Sequence, residues 1–118
     1  MAVIQKNIGL AGSRGSADEL ALFDSGSTYS CIEPGLAYQL GVVEPLPEPM
    51  IFRTAKDGET LRADEAVRLN FYIQGYRFSD EFMLIARLSE SVIIGAAIRL
   101  RRTKVENEIR FRARRSPP

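Results

Sequence analysis

An acid at the end of an apolar run is the first place in this chain where chemistry could sit. Ala21-Leu22-Phe23 leads into Asp24-Ser25-Gly26-Ser27-Thr28, so a strand-forming stretch delivers a carboxylate into a turn of small residues. Far downstream, the bulky pair Ile93-Ile94 is followed by Gly95, a residue that lets one backbone close on another. What the chain lacks narrows the chemistry further. Its 118 residues contain no histidine and one cysteine, Cys31. A Cys/His zinc cluster, an intrachain disulfide and any hydrolase that relies on a histidine base are thereby excluded. Carboxylates, hydroxyls, lysines and arginines remain. Taken alone, Asp24-Ser25-Gly26 is also a common way to end a strand in an Asx-type turn.

The length suits one domain, and the elements that must position these residues are mostly strands. Val3, Ile4 and Ile8 predict an initial strand over Ala2–Ile8, followed by a Gly/Ser-rich surface loop over Gly9–Ser16. The glycine spacing of that loop suggests phosphate binding, but no Gly-Lys-Ser/Thr follows it, and a hairpin loop is the better reading. Glu19–Phe23 forms the strand that carries Asp24. Pro34 opens a short helix with Leu36 and Leu40 one turn apart, closed by Gly41. Pro45, Pro47 and Pro49 exclude helix beyond it. Ile51–Thr54 and Thr60–Ala63 flank Lys56-Asp57-Gly58, a strong hairpin signal. Val67, Leu69, Phe71 and Ile73 alternate with polar residues, Gln74-Gly75 turns the chain, and a further strand carries Tyr76, Phe78, Phe82 and Leu84. Val92–Ile94 reads as a strand buried on both faces. A short helix over Ala96–Arg102 and a closing strand over Ile109–Ala113 complete a mainly β domain with one or two short helices.

The strand ending in Asp24-Ser25-Gly26, the Asp57-Gly58 hairpin and the Ile93-Ile94-Gly95 segment, in this order and at this approximate spacing, resemble the retropepsin-like aspartic proteases. The resemblance runs from Val3 to about Phe111. It implies a single-lobe acid-protease-type closed β barrel over residues 1–113, with residues 114–118 a flexible basic tail. It also implies aspartic endopeptidase activity on an extended polypeptide. Metal-free hydrolysis needs a base for water and an acid for the carbonyl, and two adjacent carboxylates sharing one proton supply both. One triad per chain gives one carboxylate, so the resemblance implies a homodimer with Asp24 facing its own copy across the symmetry axis. Ser25 then takes the hydroxyl position that links the two loops, and Gly26 lets the triads approach. Ile94 and Gly95 support the loop from beneath. Gly26, Ser27 and Thr28 bind substrate main chain, and Ala55, Lys56, Asp57 and Gly58 form the flap tip above it. No metal and no cofactor is implied. Val3–Ile8 and Ile109–Ala113 are the segments expected to interleave between subunits. Ala96 and Ala97 stand where retroviral members carry an arginine and an asparagine, and Thr28 stands where that arginine has its acidic partner, so the ion pair supporting the retroviral dimer is missing. A catalytically silent peptide-binding dimer of the same fold is the alternative.

The remaining features carry blander readings. Residues 99–118 bear a net charge of +6 and residues 1–98 of −5, for a total of +1. With only Phe111 among these arginines, the basic end reads as a solvated strand face and tail rather than a nucleic-acid platform. The longest apolar stretch, Val92–Ile98, is too short to span a membrane, and the lone cysteine leans towards an intracellular setting. Cys31 reads as a small buried apolar residue. The acid pairs Asp18-Glu19, Asp64-Glu65 and Asp80-Glu81 point to opposite faces of strands and read as solvated surface rather than metal ligands.

Overall fold

The computed structural model describes residues 3–24, 27, 29–53, 60–86, 88 and 90–95. Its first hairpin is longer than the sequence pattern predicts. β1 (Val3–Gly12) and β2 (Gly15–Asp24) pair antiparallel from Val3↔Asp24 to Gly12↔Gly15. The loop expected over Gly9–Ser16 thus shrinks to Ser13 and Arg14. Glycine and serine give no β signal, yet the ladder runs through them because its hydrogen bonds belong to the backbone. The Arg14 N–H donates to the Leu40 carbonyl at 3.0 Å, which fastens this turn to the helix α1 (Pro34–Leu40). Helix α1 starts at its proline, buries Ala37 and Leu40, and stops where the Gly41 N–H donates to the Ala37 carbonyl.

Between β2 and α1 lies β3 (Ser30–Ile32), a strand of three buried residues that the sequence pattern does not reveal. Three residues are too few to establish a period. β4 (Val43–Arg53) is extended, as its prolines require, and among the described residues it is an edge strand of the sheet, where missing N–H donors cost least. Its register against β5 (Thr60–Ile73) shifts between Pro45 and Met50. β5 turns through Gln74 and Gly75, both at positive φ, into β6 (Tyr76–Leu84). β7 (Val92–Ile94) closes the described chain.

The strands follow the order β1-β2-β7-β3-β6-β5-β4, and a β1–β5 pairing at Gly9↔Tyr72, Leu10↔Phe71 and Ala11↔Asn70 closes the first six into a barrel. β7 inserts between β2 (parallel) and β3 (antiparallel), so segments about 70 and 60 positions apart in sequence become neighbours in the barrel wall. Phe23, Phe71, Phe82, Leu10, Leu69 and Ile94 fill the interior. Phe71 stacks on Phe78 at 5.1 Å between centroids and meets Phe82 edge-on at 6.2 Å. Alternation sends Cys31, Met83 and Ile93 to the opposite face, where Leu46, Met50 and Leu61 cover them. This two-sided burial is why β7 reads as an unbroken apolar run.

The expected Ala96–Arg102 helix, the Ile109–Ala113 strand and the 114–118 tail lie outside the described residues. Within the chain, Val3–Ile8 pairs along its length with β2. Among the described residues no helix is long and apolar enough to cross a membrane.

Candidate active site

Asp24 is the last residue of β2, and it is only partly buried. Phe23, immediately before it, is fully buried and aligned with Ile94 across the parallel β2–β7 pair. Strand alternation therefore turns Asp24 away from the interior just as the chain leaves the sheet. The turn that follows is tied by backbone and side chain alike. The Ser27 N–H donates to the Asp24 carbonyl at 3.1 Å, and the Ser27 hydroxyl donates to the Tyr29 carbonyl at 2.8 Å. The Cys31 thiol also donates to that carbonyl, at 3.6 Å.

Gly95 lies against the returning limb of the same turn. A Cβ on Gly95 would sit 2.6 Å from the Tyr29 carbonyl carbon and oxygen and 3.0 Å from the Ser27 oxygen. Only a residue without a side chain fits there. The Gly95 N–H, just past the last ladder residue of β7, donates to the Ser30 hydroxyl at 3.1 Å. Ser30 is 4% exposed, and its hydroxyl donates in turn to the Asp80 carboxylate at 2.6 Å. The other Asp80 oxygen accepts the Glu81 N–H at 2.9 Å. A buried N–H left without such an acceptor would cost about 1–3 kcal/mol.

Ser30 and Asp80 are the residues of this neighbourhood that sequence reasoning missed. Asp80-Glu81 reads as solvated surface, but Asp80 is half-buried and accepts from Ser30, while Glu81 alone faces solvent. The period-2 alternation of β6 was the available signal: one member of an adjacent pair must turn inward.

Of the expected site residues, Asp24, Ser27, Ile94 and Gly95 come together here. Ser25, Gly26 and Thr28 lie outside the described residues, as do Ala55, Lys56, Asp57 and Gly58. The β4–β5 ladder reaches Arg53↔Thr60, so residues 54–59 connect the two arms of one hairpin. Burial pushes the Cys31 thiol up to about 12, which removes it as a nucleophile at neutral pH. Among the described residues no group of three or more acidic or cysteine side chains could hold a metal ion.

A six-stranded barrel whose β2 and β3 enclose β7, with an acid at the end of β2 and a glycine after β7, has the retropepsin-like fold. One solved structure with this fold is the solution structure of the Simian Foamy Virus (mac) protease. It matches 86% of this chain and 97% of its own with a TM-score of 0.52, at 18% sequence identity. No protein-family model matches the sequence, and no curated protein does.

Proposed function

We propose that this chain is one half of an aspartic endopeptidase, with the active site formed where two copies bring their Asp24 side chains together. The observation that carries the reading is the position of Asp24 at the end of β2 in a retropepsin-like barrel, directly after the Phe23–Ile94 pair that leads to Gly95. The foamy virus neighbour, which shares this fold, is a protease. In the dimer, one carboxylate takes a proton from water as the water oxygen attacks the scissile carbonyl carbon. The protonated partner carboxyl donates to the carbonyl oxygen. Collapse of the tetrahedral species breaks the C–N bond, and a proton passes to the departing amine. Ser25 and Gly26 position the two loops against one another, while Gly26, Ser27 and Thr28 hold the substrate main chain. The β4–β5 hairpin, with Ala55, Lys56, Asp57 and Gly58 at its tip, closes over an extended peptide and excludes water. The domain extends over residues 1–113, and residues 114–118 form its basic tail.

Asp24→Asn is the direct test. It should lower peptide cleavage by about 10²–10⁴-fold without changing the fold, and the parent's specific activity should fall on dilution as half-sites separate. An Asp24→Asn protein as active as the parent would end this reading. Peptide binding without cleavage across pH would instead identify a silent peptide-binding dimer.

A further inference from the structure

We propose that Ser30 and Asp80 are positioning residues of the Asp24 site, holding the Gly95 backbone at a set distance beneath the turn that follows Asp24. This rests on the proteolytic reading for its catalytic consequence, but the tether itself is a matter of geometry. Ser30 and Gly95 are 65 positions apart in sequence, and the Gly95 N–H···Oγ bond joins β3 to the end of β7 at the point where ladder pairing has stopped. A hydroxyl has one proton to give. Because the Ser30 proton is committed to the Asp80 carboxylate at 2.6 Å, the hydroxyl lone pairs are left to accept from Gly95.

Asp80 is the residue type this arrangement needs. Its Oδ2 accepts from Ser30 and its Oδ1 accepts from the Glu81 N–H, so both oxygens serve as acceptors. An asparagine of the same shape has one oxygen and would turn an NH₂ donor towards another donor. The tether matters because of what rests on Gly95. The Tyr29 carbonyl and the Ser27 oxygen occupy the space that a Cβ on Gly95 would need, and Ser27 donates its N–H to the Asp24 carbonyl. Release of Gly95 would therefore let the Asp24 turn shift relative to β7. A carboxylate that must meet its twin within hydrogen-bonding range tolerates little such movement.

The experiment compares the parent with Ser30→Ala, Ser30→Thr and Asp80→Asn. Amide hydrogen exchange at Gly95 is read beside kcat and KM for a peptide substrate at a protein concentration that saturates the dimer. Gly95 exchange should quicken by about tenfold or more in Ser30→Ala and Asp80→Asn, with Ile93 and Ile94 much less affected. In the same two variants kcat should fall by about tenfold or more with KM within about twofold, and Ser30→Thr should restore both readouts. Equal Gly95 exchange in the parent and Ser30→Ala overturns the tether. Quickened exchange with unchanged kcat, or a kcat loss that matches the loss of folded protein, overturns the positioning role. A parent that cleaves no peptide overturns the proteolytic reading, and the catalytic consequence with it, while the exchange comparison still decides whether Ser30 and Asp80 hold Gly95.

Discussion

Phe23 and Ile94 stand opposite each other on parallel strands, and the register they share carries Asp24 and Gly95 off neighbouring strand ends. Parallel pairing between β2 and β7 therefore determines where the acid leaves the sheet and what backbone lies beside it. The fit at Gly95 leaves no room for a methyl group, because the atoms it would meet belong to the Tyr29 backbone and not to a flexible side chain. Gly95→Ala should destabilise the fold by about 1–3 kcal/mol. Urea unfolding measures the loss, and a midpoint equal to the parent's would show that the turn yields freely.

Phe71 is fully buried between Phe78 and Phe82 at the barrel centre. Its strand also carries the β1–β5 pairing that closes the ring. Phe71→Ala should cost about 3–5 kcal/mol, the usual range for an aromatic removed from a packed core. Chemical denaturation checks this, and a cost below that of a single methylene would mean that the barrel refills the space.

Gln74 occupies the left-handed region at φ 52, next to Gly75 at φ 83. Two successive positive φ values match the tight turn that suits the twist of a hairpin, but glutamine is a poor occupant of the first. Gln74→Asn should raise stability by about 0.5–1 kcal/mol, since asparagine tolerates this backbone better. A lowered thermal midpoint would refute the assignment of strain to this residue.

Burial lifts the Cys31 thiol from 9.0 to about 12. The folded value exceeds the unfolded one, so the thiol's contribution to stability is whole below pH 9 and is lost as the pH rises towards 12. Across that interval the parent should lose stability faster than Cys31→Ala by about 1.4 kcal/mol per pH unit. Denaturation midpoints of both proteins between pH 8 and 11 decide it, with parallel curves the adverse result.

Much of the barrel is legible in the residues themselves. The alternation from Val67 to Ile73, the Gln74-Gly75 turn, the Pro34 helix start and the two-sided burial of Val92–Ile94 all express local backbone and side-chain preferences. The first hairpin was less legible, since Gly9, Gly12, Gly15 and Ser16 carry no strand signal although the ladder runs through or beside them. β3 escaped for want of length. At the site, Asp24 and Gly95 announced themselves by their neighbours, whereas Ser30 and Asp80 did not. A serine and a surface-type acid look alike in sequence whether they are solvated or paired.

By itself the amino-acid sequence determined which chemistry was open to this protein. Without histidine, and with a lone cysteine, only oxygen and nitrogen side chains such as that of Asp24 could do acid–base work. It also determined most of the strands, though neither β3 nor the full length of the first hairpin, because alternation, turn residues and prolines act over a few positions. The tertiary structure alone decided that β7 lies between β2 and β3, that Val3–Ile8 pairs within its own chain, and that Ser30, Asp80 and Gly95 meet. These are contacts between distant segments, and their partners are chosen by the closure of the whole barrel around one core.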